Sequence, residues 1–144
     1  MFYLSFLFQG ADMVVFPEYG LYPSGTTRDE IEPFLESIPD PEEAWNPCAD
    51  PEKYPNTELQ RHLSCMAREN NIYVVANIGD RVPCDESAVD CVGGRHQYNT
   101  NVAYDRTGTH VARYHKYNLF FEHRYDTPPE PEYSYFDTPF GRLA

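Results

Sequence analysis

The segment that most restricts this chain's fold runs from Asn56 to Gly79, where "NTELQRHLSCMAREN" leads straight into "IYVVANIG". In the first part Leu59, Leu63, Met66 and Ala67 recur at helical spacing and form one apolar stripe. Thr57 stands where a helix N-cap belongs, and Gln60 follows at the position that completes a capping box. The second part is a near-continuous apolar run, the pattern of a strand buried on both faces. A helix feeding such a strand predicts an α/β layered architecture.

Two further strand-like runs, "YNTNVAYD" and "HVARYHK", flank "RTGT", and a short Gly-containing connection predicts a β-hairpin. In the second run Val111, Arg113 and His115 are expected on one face, with Ala112, Tyr114 and Lys116 on the other. Upstream, Met13–Phe16 reads as a buried strand stopped by Pro17, with a loop beginning at Pro17 or Glu18. Between these elements "RDEIEPFLESI" has helix-like spacing at Ile31, Phe34, Leu35 and Ile38, interrupted by Pro33. "PDPEEAWNPCADPEKYP" carries five prolines and is expected to be irregular. So long a loop within a compact domain is functional or pinned to the surface.

Composition narrows the function classes. At 144 residues and 41% hydrophobic content the chain has the size and make-up of one globular domain. Twenty-three acidic against 11 basic residues, a formal charge of −12, argue against nucleic acid or an anionic membrane as partner. No apolar run is long enough to span a bilayer. The start, "MFYLSFLF", lacks a basic n-region and a small-residue cleavage site, so it does not read as a signal peptide. There is no Asn-x-Ser/Thr sequon and no internal repeat.

Four cysteines, Cys48, Cys65, Cys84 and Cys91, allow three full pairings. The polar, turn-rich loop "CDESAVDC" favours a Cys84–Cys91 bridge, with a chain-entropy contribution of about 2–3 kcal/mol. Cys65, on the expected helix, reads either as a buried core thiol or as the partner of Cys48 in a second bridge. A zinc site is disfavoured, because there is no C-x2-C and no H-x3-H pair. An even cysteine count with a plausible staple favours an oxidising compartment.

Lys116 sits at the end of the last strand-like run, beside apolar Leu119, Phe120 and Phe121. Its stem could simply cover apolar surface while the ammonium reaches water; the sharper reading is that the ammonium serves chemistry. Glu18 has the same setting, directly after "MVVFP". Strand ends are where α/β proteins place their sites, although an acid and a lysine so placed also make ordinary structural ion pairs.

"GADMVVFPEYGLY" resembles the segment around the active-site glutamate of the carbon–nitrogen hydrolase (nitrilase) superfamily. "IYVVANIGDRVPC", "YNTNVAYDRTGTHVARYHKYNLFFEHRYDTP" and "FDTPFGRLA" are similar to its vanin (pantetheinase) and biotinidase branch, so the likeness covers Gly10 to Ala144. The resemblance implies an αββα sandwich and an amidase with a Glu–Lys–Cys triad, needing no cofactor and no metal. Glu18 matches the general base and Lys116 the residue that stabilises the tetrahedral oxyanion. Glu122 matches a further acidic position that orients Lys116, with a solvated loop carboxylate as the plain alternative. Lys53, in the proline-rich loop, keeps the snorkelling reading. A carboxylate acting on a thiol is expected to have a raised pKa from its low-dielectric site.

The resemblance also implies substrates: pantetheine-like amides, giving pantothenate and cysteamine, or biotinyl amides, in a secreted or surface-anchored protein. Two departures stand out. Tyr19 occupies a position where the branch often carries aspartate. None of the four cysteines matches the nucleophile, which in the family lies beyond the "DTPFG" segment, and the family's first strand and helix are expected ahead of Gly10. Residues 1–144 therefore read as the first half of a carbon–nitrogen hydrolase domain, incomplete at both ends and inactive as this chain. The rival readings are a catalytically dead relative acting as a binding or decoy domain, and a bare disulfide-stapled binding module.

Overall fold

The computed structural model describes residues 10–22 and 27–144. Five strands form one sheet: β1 (Met13–Val15), β2 (Leu35–Glu36), β3 (Tyr73–Pro83), β4 (Arg95–Tyr104) and β5 (His110–His115). β3 is its axis. β1 and β2 lie in tandem along one edge of β3, both parallel, with Val15 opposite Val75 and Leu35 opposite Gly79. Along the other edge β4 runs antiparallel from Val74↔Tyr104 to Pro83↔Arg95, and β5 follows it. A separate hairpin, β6 (Phe136–Thr138) and β7 (Gly141–Leu143), brings Phe136 and Phe140 against the Tyr73 ring.

The expected long helix is α2 (Glu58–Asn70), which ends at Asn71 in a left-handed cap. Leu63 and Ala67 pack onto Val74, Ala76 and Ile78 of β3 and Val102 and Tyr104 of β4, with Leu59 and Met66 at the margin. The period-two alternation of a strand sends Val75, Asn77 and Gly79 to the opposite face. The expected hairpin is β4–β5. Its turn is shaped by the Asp105 carboxylate, which accepts from the N–H groups of Thr107 and Thr109. Gly108 adopts φ +87°, and a Cβ there would stand 2.7 Å from the Ser64 carbonyl, so the turn reaches α2 only because no side chain intervenes.

Several expectations are corrected. β1 forms where expected but is not buried: Val15 is 63% exposed, because β1 is an edge strand paired only with β3 among the described residues. The helix over Ile31–Ile38 is confined to α1 (Arg28–Ile31). Pro33 turns the chain through a 3-10 step at Glu32–Phe34, and Leu35 then enters β2; a proline has no N–H to continue an α-helical ladder. The capping box is found at α1, between Thr27 and Glu30, and not at α2. At α2 the Thr57 hydroxyl donates to the Tyr54 carbonyl, and the cap comes from Glu36, whose carboxylate accepts from the N–H groups of Leu59 (2.6 Å) and Gln60 (3.1 Å). A buried carboxyl group, its pKa pushed up by burial and pulled back by these N–H donors, thus satisfies orphan donors at the start of the helix.

Both candidate bridges are present, Cys84–Cys91 and Cys48–Cys65, so Cys65 is not a free core thiol. Cys48–Cys65 fastens the irregular proline-rich loop to α2, and buried Trp45 anchors it further through its carbonyl, which accepts from His110 N–H. Lys53 pairs with Glu43 at 3.0 Å. Among the described residues no helix is long and apolar enough to cross a membrane.

The cap makes a testable ranking. Glu36→Ala leaves one buried and one half-buried N–H group, of Gln60 and Leu59, without that partner and is expected to lower unfolding free energy by about 1.5–3 kcal/mol; Thr57→Ala removes one neutral bond, worth about 1 kcal/mol. Urea denaturation of both variants checks this, and the reverse order would contradict the cap.

Candidate active site

Two strand ends on the face opposite α2 converge on one point. β1 extends by one bond, Phe16 N–H to Val75 C=O, before Pro17 stops the ladder and delivers Glu18. At the other side of the sheet Lys116 N–H donates to Asn99 C=O (2.8 Å), one residue beyond β5. The Lys116 ammonium then lies 2.7 Å from Glu18 Oε1 and 2.9 Å from Glu122 Oε2. All three candidate residues are therefore in one cluster, and Glu122 is a buried partner of Lys116, not a solvated loop carboxylate. A cavity of about 310 Å³ opens beside it, lined by Phe16, Glu18, Asn77, Asn99, Asn101, Tyr114 and Lys116.

Beneath the charges sits a pair of buried amides. Asn77 Nδ2 donates to Asn99 Oδ1 at 2.6 Å, which fixes the Asn99 amide with its NH2 toward the carboxylates. Asn99 Nδ2 reaches Glu18 Oε1 at 2.7 Å and Glu122 Oε1 at 2.8 Å. The Asn77 side-chain oxygen Oδ1 accepts from Tyr19 N–H. Two residues here take left-handed backbone conformations without being glycine, Tyr19 (φ 58°) beside Glu18 and Phe121 (φ 54°) beside Glu122. Such strain persists only where surrounding contacts over-determine it.

The Lys116 backbone is also fixed from the other face. His115 is 5% exposed, with Nε2 2.8 Å from Asp80 Oδ2 and Nδ1 2.7 Å from Glu132 Oε1. Its N–H donates to Glu132 Oε2, and its ring packs on Tyr98. The residue before the ammonium is thus held through ring and backbone together.

The two carboxylates have opposite electrostatics, which corrects the expectation for Glu18. Its side chain is 45% exposed, and the hydrogen bond from Lys116 outweighs the partial burial, so that with Asn99 helping its pKa lies below the ordinary 4.5. Glu122 is the raised one: at 7% exposure burial dominates, the Phe120 N–H only partly offsets it, and the Glu18 charge adds to the upward push.

Sequence reasoning missed Asn77 and Asn99. The signal was there: Asn77 interrupts an apolar run, and alternation along "YNTNV" puts Asn99 and Asn101 on one face. None of the four cysteines lines this cavity, and all four are bonded in bridges.

The sequence profile described as carbon–nitrogen hydrolase matches residues 5–144. The chain belongs to the carbon–nitrogen hydrolase family. It is 54% identical over 137 residues to a biotinidase of Takifugu rubripes, covering 92% of this chain and 27% of that protein. It is 52% identical over 138 residues to a pantetheinase of Mus musculus, covering 94% and 27%. The chain thus spans about a quarter of the length of the curated relatives it matches. Among solved structures, an N-terminal amidase with an Asn-Glu-Ala peptide superposes with TM-score 0.58 at 17% identity, over 92% of this chain and 26% of that one. An amidase from Nesterenkonia sp. gives 0.55 at 17%, over 94% and 41%. These likenesses establish an α/β fold of the nitrilase type, of which this chain is a part.

The raised pKa of Glu122 gives a signed prediction. The folded chain keeps a proton there that the unfolded chain releases near 4.5, so this group withdraws stability as pH rises through that interval. Gln does not titrate. The stability of Glu122→Gln relative to the parent should therefore increase as pH rises from the ordinary carboxylate value of 4.5 in urea titrations. A flat or falling difference would contradict the assignment.

Proposed function

We propose that this chain carries the acid–base and oxyanion-stabilising half of a linear amide hydrolase acting on pantetheine-like or biotinyl amides. The observation that carries the reading is Lys116, whose ammonium spans Glu18 and Glu122 at the edge of an open cavity. An ammonium has three donors. Two are engaged by carboxylates, and the third is left for an oxyanion.

The chemistry follows from those positions. A thiol from outside these residues would be the nucleophile, because the four cysteines here are bonded to one another. Glu18 is ionised at neutral pH and takes the thiol proton, and the thiolate attacks the amide carbon. The oxyanion that forms draws the Lys116 ammonium toward itself. As that ammonium shares its charge, Glu18 becomes a stronger base and holds the proton long enough to pass it to the departing amine. Water then enters and gives a proton to Glu18 as it attacks the thioester carbon; the C–S bond breaks, and Glu18 returns that proton to the departing thiolate, restoring thiol and carboxylate. Glu122 keeps Lys116 in register throughout. For pantetheine the products are pantothenate and cysteamine. Two disulfides accord with a secreted or extracellular setting.

The second reading, a non-catalytic binding or decoy domain, rests on the absence of a free thiol in these residues. One experiment separates the two. The 144 residues alone, assayed with pantetheine and a biotinyl amide, should show no turnover above a Glu18→Ala control. The chain continued through a segment that supplies a cysteine should turn over. In that protein Lys116→Met should reduce kcat by about 10²–10³, and Glu18→Gln should abolish acylation. A Lys116→Met enzyme with near-parental activity would refute the mechanism.

A further inference from the structure

We infer that Tyr19 is a positioning residue that holds the Glu122 carboxylate in place beside Lys116. The inference rests on the amidase reading for its functional meaning, but its geometry stands apart from it. The Tyr19 hydroxyl donates to Glu122 Oε1 and accepts from Asn99 Nδ2 at 3.0 Å. An unbroken chain of donors therefore runs from Asn77 through Asn99 and Tyr19 to Glu122.

The ring that carries this hydroxyl is clamped. The Arg124 guanidinium lies 4.7 Å over its centroid. The Tyr125 ring stacks at 6.3 Å and the Tyr22 ring meets it edge-on at 6.0 Å, and these two tyrosines are joined by a 2.6 Å hydroxyl–hydroxyl bond. The backbone is held too, in the left-handed region, by its N–H bond to Asn77 Oδ1. That conformation, unusual for an aromatic residue, follows directly on Glu18 and places the ring within reach of Glu122.

Glu122 needs such a hold. Its loop projects Phe120 and Phe121 into solvent, 76% and 78% exposed, so these aromatics do not fasten it by burial. Leu119 packs at the edge of the Ile31, Leu35 and Tyr125 cluster, which Tyr19 also joins. The Glu122 carbonyl accepts from Tyr125 N–H at 2.9 Å, and the carboxylate itself is held by Lys116, Asn99, the Phe120 N–H and the Tyr19 hydroxyl. An aspartate at position 19 would be ionised and unable to donate there. The tyrosine gives this chain a donor where that residue would add a third negative charge.

The test uses the 144-residue chain with 13C-labelled glutamate carboxyls, titrated by NMR as parent and as Tyr19→Phe. Phe preserves the clamped ring and removes the hydroxyl, which donates to Glu122 and accepts from Asn99. Losing a donor to the ionised form raises a carboxylate pKa, so the Glu122 midpoint should move up by about one unit, with Glu43 as an unchanged distant control. In the enzyme carrying its nucleophile, the acid limb of the kcat/KM profile should move the same way. An unmoved Glu122 midpoint in a folded Tyr19→Phe chain would overturn the inference. Should that variant not fold, the parent decides: a slowly exchanging Tyr19 hydroxyl proton with a nuclear Overhauser contact to Glu122 is expected, and its absence overturns the inference equally. An active Lys116→Met enzyme would remove the amidase reading and leave the titration result standing; an unmoved midpoint would do the reverse.

Discussion

The pairing of β3 on both edges is the constraint on which the site depends. β1 sets Glu18 against one edge of this strand, while β4 and β5 carry Asn99 and Lys116 across from the other. Because strand side chains alternate, one stretch of sequence can do two unlike jobs. Val74, Ala76 and Ile78 bind α2, and Asn77 between them faces the charges. A shift of one residue in the β3–β4 register would turn Asn99 into the core and the apolar residues toward the ammonium. Apolar packing on the α2 face therefore fixes the polar geometry on the other.

Charge balance explains why the cluster holds together. Two carboxylates share one ammonium at 2.7 and 2.9 Å, and a neutral amide spans the same pair. One carboxylate is well hydrated and the other is not, so their proton affinities separate in opposite directions. Arg124 adds a second positive charge behind Tyr19 and lowers both. The Lys116 ammonium has three donors and two carboxylate partners here, at the edge of the cavity.

Much of this was legible in the chain before its fold was known. The α2 stripe, the apolar run of β3, the hairpin at "RTGT" and the Cys84–Cys91 staple are local patterns, each recorded in neighbouring residues. The strand-end positions of Glu18 and Lys116 were legible for the same reason. What escaped reading is non-local. The Glu36 carboxylate that caps α2 comes from β2, so Thr57 and Gln60 carry a false capping signal. The exposure of Val15 reflects where β1 sits in the sheet, which its own sequence does not encode. The pKa of Glu18 fell where a rise was expected because exposure and two donors, none visible in "FPEYG", outweigh burial.

The most direct test of the central claim, that this chain by itself assembles an ammonium between two carboxylates, is a through-hydrogen-bond coupling measurement. Only Lys53 and Lys116 carry side-chain ammonium groups, so a chain labelled with 15N-lysine and 13C-glutamate gives a spectrum simple enough to assign. The account predicts that Lys116 Nζ couples to the carboxyl carbons of both Glu18 and Glu122. Coupling to neither, or a freely exchanging Lys116 ammonium in the folded chain, would contradict it.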